Sequence, residues 1–232
     1  MKQNLDSPVK NSCEHCGRTF VRESTLFKHI CEQKRRWMDI DKPANRIAFA
    51  AWSDFYSSFQ PSKKKRDYKA FTQSPYYTSF VKFGGYCVDV KAVGVQAYIR
   101  YLIRGQYPID DWTSDKIYTR FLMDYLKAED PLDAIKRTIN NIAEECEGEN
   151  LEIRDFFRFG KANKICHMII SGKISPWMIY HSRTGIEFLE SINDSQRSLI
   201  FPYIDPEKWM IKFRRNQTET DQVSEILKQA NL

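Results

Sequence analysis

Four residues near the start of the chain concentrate its recognisable chemistry: Cys13, Cys16, His29 and Cys31. Two cysteines separated by two residues share one tight turn and can present both sulfurs to a single ion. Twelve residues later a helix can bring His29 round to the same point. Thiolate and imidazole donors in this order suit zinc, which takes four such ligands tetrahedrally. Two residues compete for the fourth position. Cys31 lies two residues after His29, and residues i and i+2 do not share a face of a regular helix. Cys31 can therefore reach the ion only if the helix ends or unwinds at His29. His15, between the two cysteines, would point away from their ion, so Cys31 is preferred. Phe20 and Leu26 would fill a core too small to fold without metal.

No other constellation carries chemistry as clearly. The chain has no glycine-rich phosphate loop, no GxSxG elbow and no HExxH helix. His167 and His181 are isolated, and Asp110-Asp111 and Glu144-Glu145 are adjacent pairs that point apart on a helix. Glu147 and Glu149 are expected in a loop. These carboxylates read as solvated faces, not as a nuclease centre. Tyr76, Tyr77 and Trp112 have the chemistry to stack on unpaired bases, but the aromatics here mostly fall at core spacing.

The elements that must position these residues are mainly helical. Asp41 to Pro43 can start a helix whose apolar face is Ala48, Trp52, Phe55, Tyr56 and Phe59. Pro61 and the run Lys63-Lys64-Lys65-Arg66 are expected to end it in an exposed loop. Phe80, Phe83 and Tyr86-Cys87 suggest a helix broken at Gly84-Gly85, with residues 86–90 an alternative short strand. Val95, Tyr98, Ile99, Leu102 and Ile103 form a stripe stopped by Gly105. Thr113 or Ser114, Pro131, Ser175-Pro176, Thr184, Asp194 and Asp205-Pro206 mark further helix starts. The body reads as a compact all-α domain of roughly eight short helices, with a mixed α+β body as the alternative. The expected divisions are a flexible leader (1–12), a zinc finger with a basic exit (13–37), a helical domain (38–215) and a tail (216–232).

Composition bounds the rest. With 232 residues, 42% of them apolar, there is material for a substantial core. Clustered cysteines in a chain with no membrane-length apolar run and no secretory signal suggest a metal site in a soluble intracellular protein, with Cys87, Cys146 and Cys166 as buried small hydrophobes. The net charge of +6 is unevenly placed. Residues 1–74 hold 15 of the 36 basic and 8 of the 30 acidic side chains, so all the basic excess lies in the first third. That pattern suits an end that faces a polyanion.

The segment CEHCGRTFVRESTLFKHICEQKRRW, from Cys13, resembles the two-Cys two-His zinc-finger family in its first three ligands and both core hydrophobes, and departs from it at the fourth ligand. The resemblance implies a ββα-like finger that docks on DNA, with Arg22, Ser24, Thr25 and Lys28 facing the bases. A single finger spans about three base pairs, so phosphate contacts from Lys34, Arg35, Arg36 and from Lys63, Lys64, Lys65 and Arg66 would have to add affinity. Together with FVKFGGYCVDV (from Phe80), PIDDWTSDKIY (from Pro108), SGKISPWMIYHS (from Ser171) and YIDPEKWMIKF (from Tyr203), the segment looks like a family of proteins encoded by large tailed bacteriophages. That resemblance implies a viral origin and a host-cytoplasm location. The function expected is a zinc-dependent DNA-binding accessory protein, non-enzymatic, whose helical body contacts a protein partner such as transcription or replication machinery. Two alternatives stand beside it: an interaction or assembly module in which zinc is only structural, and a metal-dependent nuclease.

Overall fold

The computed structural model describes residues 11–59 and 66–232. Of the expected leader, only Asn11 and Ser12 belong to that set. They form β1 (Asn11–Ser12), which pairs antiparallel with β2 (Thr19–Phe20), Asn11 opposite Phe20 and Ser12 opposite Thr19. Among the described residues every element after this ribbon is a helix or a 3-10 turn. The run Lys63, Lys64 and Lys65, expected as an exposed loop, lies outside the described residues. The chain divides into two compact units: the residues up to Lys91 with Ile99–Thr113, and Ala92–Tyr98 with Ser114–Leu232.

In the first unit the ribbon is followed by α1 (Glu23–Lys28), α2 (Glu32–Met38), α3 (Pro43–Phe59), α4 (Tyr68–Thr72) and α5 (Tyr77–Asp89). A short 3-10 turn at Ile109–Thr113 completes it, and α6 (Val95–Arg104) contributes to both units. α5 runs unbroken through Gly84-Gly85 and on through residues 86–89, so neither the break nor the strand expected there forms. The reason is packing. Gly84 is buried, and a Cβ at that position would lie 2.0 Å from the Ala44 carbonyl oxygen on α3. The absent side chain is what lets α3 and α5 approach, and interhelical contact compensates the weak helix propensity of glycine.

The core of this unit is aromatic. Phe71, Phe80, Phe83 and Trp112 are fully buried, and Trp112 donates its indole N–H to the Tyr107 carbonyl at 3.0 Å. Asn45, Thr72 and Ser74 are the polar residues buried with them among the described residues. The Asn45 amide donates to the Tyr68 and Tyr77 hydroxyls at 3.2 and 3.0 Å, and the Tyr68 hydroxyl donates in turn to the Arg36 carbonyl at 3.1 Å. Burial beside Tyr68 pushes the Tyr77 hydroxyl up to about 12.

The second unit holds α7 (Asp115–Ala128), α8 (Pro131–Glu149), α9 (Phe156–Phe159), α10 (Ala162–Ile170), α11 (Pro176–His181), α12 (Arg183–Ser191), α13 (Asp194–Ile204), α14 (Pro206–Arg215) and α15 (Gln217–Gln229). Among the described residues the helices are more numerous than the roughly eight expected. Five of the nine starts in this unit carry side-chain caps: Asp130, Ser175, Ser182 and Asp205 accept backbone N–H groups, and Asn193 with Gln196 forms a full capping box. Glu147 and Glu149 belong to α8, not to a loop, because the helix continues through Gly148 to a left-handed cap at Asn150. Residues 216–232, expected as a tail, instead supply α15, whose Val223 and Leu227 are fully buried beside Trp177, Trp209 and Phe213. Their four-residue spacing is one apolar stripe in an otherwise polar segment, enough to dock a helix. Glu129 is the one charged residue buried here. Arg137 holds it with two guanidinium nitrogens and donates a third N–H to the Gly172 carbonyl.

Candidate metal centre

The hairpin that carries the first two sulfurs is made by backbone hydrogen bonds. Cys13 N–H donates to the Arg18 carbonyl at 2.9 Å, Gly17 N–H donates to the Cys13 carbonyl at 2.8 Å, and Gly17 takes the left-handed φ of +73° that the turn requires. α1 then runs only from Glu23 to Lys28. His29 leaves the helix with ψ 120°, and Cys31 follows in extended conformation as the N-cap of α2. The helix thus ends where Cys31 needs it to.

The outcome is a cluster. One donor atom from each of Cys13, Cys16, His29 and Cys31 lies within 4.8 Å of all the others. Cys13 Sγ and Cys31 Sγ are 3.9 Å apart, and Cys16 Sγ and His29 Nε2 are 3.3 Å apart. A tetrahedron with metal–sulfur bonds of about 2.3 Å and metal–nitrogen bonds of about 2.0 Å has edges of roughly 3.5 to 3.8 Å. The observed spacings fall around those edges, so the four residues can hold a metal ion. Among the described residues no other group of three or more His, Cys, Asp or Glu does so. His15 stands apart, its ring 5.7 Å from that of Trp37.

The local electrostatics favour a cation. Burial pushes the Cys13 thiol up, but backbone N–H groups of Cys16 and His15 outweigh it and leave it below its ordinary value. Cys16 moves the other way: the Arg18 N–H lowers it, yet desolvation and the Cys13 and Cys31 sulfurs leave it raised. Crowded sulfurs resist joint ionisation, and a divalent ion among them removes that penalty. Cys31 Sγ also accepts the Lys34 N–H at 3.3 Å, a bond from outside the donor set that fixes the sulfur's position. The His29 ring rests 4.7 Å from Phe20, while Phe20 and Leu26 remain only half-buried. No residue of α1 or α2 is buried, so little apolar packing holds this loop by itself.

α2 joins the cluster to the helices behind it. Its N-cap is Cys31, and further along Arg36 donates to the Thr72 carbonyl at 2.8 Å and lies over the Tyr77 ring at 4.3 Å. Trp37 meets Tyr68 edge-on at 5.7 Å. Arg36, one of the residues proposed for phosphate, bonds Thr72 and Glu32 and lies over Tyr77, with its side chain 17% exposed.

The remaining expected contact residues are distributed as follows. Arg22, Ser24, Thr25 and Lys28 are all exposed, Arg22 as the N-cap of α1 and the others along it. Arg35 is exposed, and Lys34 is half-buried with its amine 3.4 Å from the His29 carbonyl. Arg66 donates to the Ser57 hydroxyl at 2.6 Å and to the Tyr56 carbonyl at 2.9 Å. Cys87, Cys146 and Cys166 are buried, as their isolation suggested, and burial raises each thiol. His181 stacks on Trp177 in the second unit, where burial lowers its basicity. Of the three aromatics with the chemistry to stack on bases, Tyr77 and Trp112 are buried and Tyr76 is 48% exposed. Among the described residues no helix is long and apolar enough to cross a membrane. Comparison of the chain with protein-family models, curated proteins and solved structures returns no match.

Proposed function

We propose that this chain is a zinc-dependent DNA-binding accessory protein, serving transcription control or DNA metabolism of a tailed bacteriophage within its host cell, with the helical body contacting a protein of the transcription or replication machinery. The observation that carries this reading is the exposure of all four expected base-facing positions, Arg22, Ser24, Thr25 and Lys28, on a helix anchored beside a Cys3His donor cluster. Three sulfurs and one imidazole suit zinc, and a full set of four protein donors leaves no position for a reacting water. The ion's task is then to hold the finger's shape, which half-buried Phe20 and Leu26 cannot do alone. Arg22 and Lys28 carry the donors that guanine O6 and N7 accept, while Lys34 and Arg35 add charge for the backbone.

The test is fluorescence anisotropy of a labelled duplex against the full chain, zinc-loaded and then chelated. About four phosphate contacts would weaken binding on the order of 100-fold between about 50 and 200 mM salt. Chelation should abolish binding, and Arg22→Ala should weaken it by about 1–3 kcal/mol. Metal-loaded protein that binds no duplex at low salt refutes this reading.

A second reading has its own support. Val21, Phe27 and Ile30 on the same finger are 99%, 85% and 61% exposed. Apolar side chains held in water at that level suit a protein interface better than a DNA groove. On this reading the finger is a structural staple for an assembly module, and Phe27→Ser would disrupt partner binding while leaving metal content unchanged.

A further inference from the structure

A cavity of about 820 Å³ opens in the first unit, away from the metal cluster. Its lining includes Phe55, Phe59, Tyr76, Tyr107, Gln106 and Asp110. The floor is rigid: Phe55 packs edge-on against buried Phe80 and Trp112 at 5.8 and 6.0 Å. The walls are not buried, since Phe59 and Tyr76 keep 49% and 48% of their surface in water. Tyr107 is braced by Tyr101, the rings stacked at 5.8 Å and the hydroxyls 3.4 Å apart. Two polar groups stand at the edge, the Gln106 amide and the Asp110 carboxylate, both exposed. Beside the cavity, Arg66 is held by the carbonyl of Tyr56, itself a lining residue.

We propose that this cavity binds an unpaired nucleobase of a single-stranded nucleic acid, the base stacking against Tyr76 and Phe59 with the Arg66 guanidinium serving the adjoining phosphate. Half-exposed aromatic faces beside the Phe55, Phe80 and Trp112 cluster offer stacking surface. An amide and a carboxylate at the rim suit the donor and acceptor edge of a base, which an apolar peptide side chain lacks. A cation beside stacked aromatics is the usual composition of a single-strand channel. The size is that of a small-ligand pocket, with room for a base and its sugar. This proposal shares the nucleic-acid ligand class with the finger reading but uses different residues and a different form of the ligand.

The experiment measures anisotropy of a labelled mixed-sequence single strand and of the matching duplex, against the zinc-loaded full chain and its variants. Tyr76→Ala and Phe59→Ala should each weaken single-strand binding about five- to 150-fold, the range for losing one stacked base. Duplex affinity should stay within about twofold, and Tyr76→Phe should restore single-strand binding. The double variant Arg22→Ala with Lys28→Ala should show the reverse pattern. Loss of duplex binding by wild type, with single-strand binding kept and sensitive to Tyr76, sinks the finger reading and leaves this one standing. Wild-type protein that ignores the single strand, or folded Tyr76→Ala and Phe59→Ala variants that bind it unchanged, overturns the proposal and turns the cavity over to a protein segment. Both side chains are half exposed, so their truncation leaves the fold in place, which thermal melting of each variant verifies.

Discussion

Gly84 and Gly85 are neighbours in sequence and should respond oppositely to the same substitution. A Cβ on Gly84 meets the Ala44 carbonyl oxygen at 2.0 Å and its carbon at 2.9 Å, both inside the 3.0 Å that real Cβ atoms essentially never cross. The obstacle is helix backbone, so no rotamer change relieves it. α3 and α5 must part by about an ångström along an interface that includes the Phe55–Phe80 ring contact. Overpacking of this kind costs about 3 kcal/mol at the upper end of its range, and the helix-propensity gain from glycine to alanine returns about 1 kcal/mol. Gly84→Ala should therefore destabilise the first unit by about 2 kcal/mol net, lowering its midpoint by roughly 8 °C for a domain near 100 residues. At Gly85 an added Cβ meets nothing within 4 Å, so Gly85→Ala should keep the propensity gain and raise the midpoint by a few degrees. The assay is thermal unfolding of zinc-loaded protein followed by near-ultraviolet circular dichroism, where the aromatic core of this unit reports its packing. Equal shifts of the same sign for the two variants would refute the claim that close helix approach, not local flexibility, explains this glycine pair.

Further outcomes can be checked alongside it. Cys31→Ala should lower zinc content below one ion per chain in metal analysis, whereas His15→Ala should leave it unchanged; the opposite pattern would reassign the fourth ligand. Leu227→Ala should destabilise the second unit by about 2–5 kcal/mol in denaturant titration, because the side chain is fully buried; a neutral result would return residues 216–232 to the status of a tail. Arg137→Ala should cost about 3–5 kcal/mol by stranding the buried Glu129 carboxylate, and Glu129→Gln together with Arg137→Met should recover much of that loss. His181 is half-buried, and desolvation lowers its folded-state pKa. The unfolded chain therefore binds the proton more readily, and the stability this residue contributes is present above its unfolded value near 6.5 and fades as pH falls through the lowered folded value. Melting of the second unit should become acid-labile below about pH 6.5, and His181→Gln should flatten that dependence.

Local chemistry made the metal cluster and most helix starts legible in the amino-acid order. Thiolate spacing and the i, i+2 mismatch between His29 and Cys31 required the helix to stop where it does, since both are statements about neighbours along the chain. Pro131, Ser175-Pro176 and Asp205-Pro206 start helices for the same reason: a capping side chain and a fixed proline φ act within one turn. What local order could not show was which surfaces would meet. Gly84 read as a helix breaker because its partner, the Ala44 carbonyl, lies 40 positions away. Arg36 gave no sign of the Thr72 carbonyl and Tyr77 ring it meets, 36 and 41 positions along the chain. The segment from Gln217 to Gln229 read as a tail because only two of its residues, Val223 and Leu227, carry the burial that docks it. Tyr76 had the chemistry to stack on a base, but only the arrangement of α3, α5 and the Gln106–Asp110 segment brings it to the lining of a cavity. In each case the deciding contact joins residues distant in sequence, and its free energy exists only once the chain has brought them together.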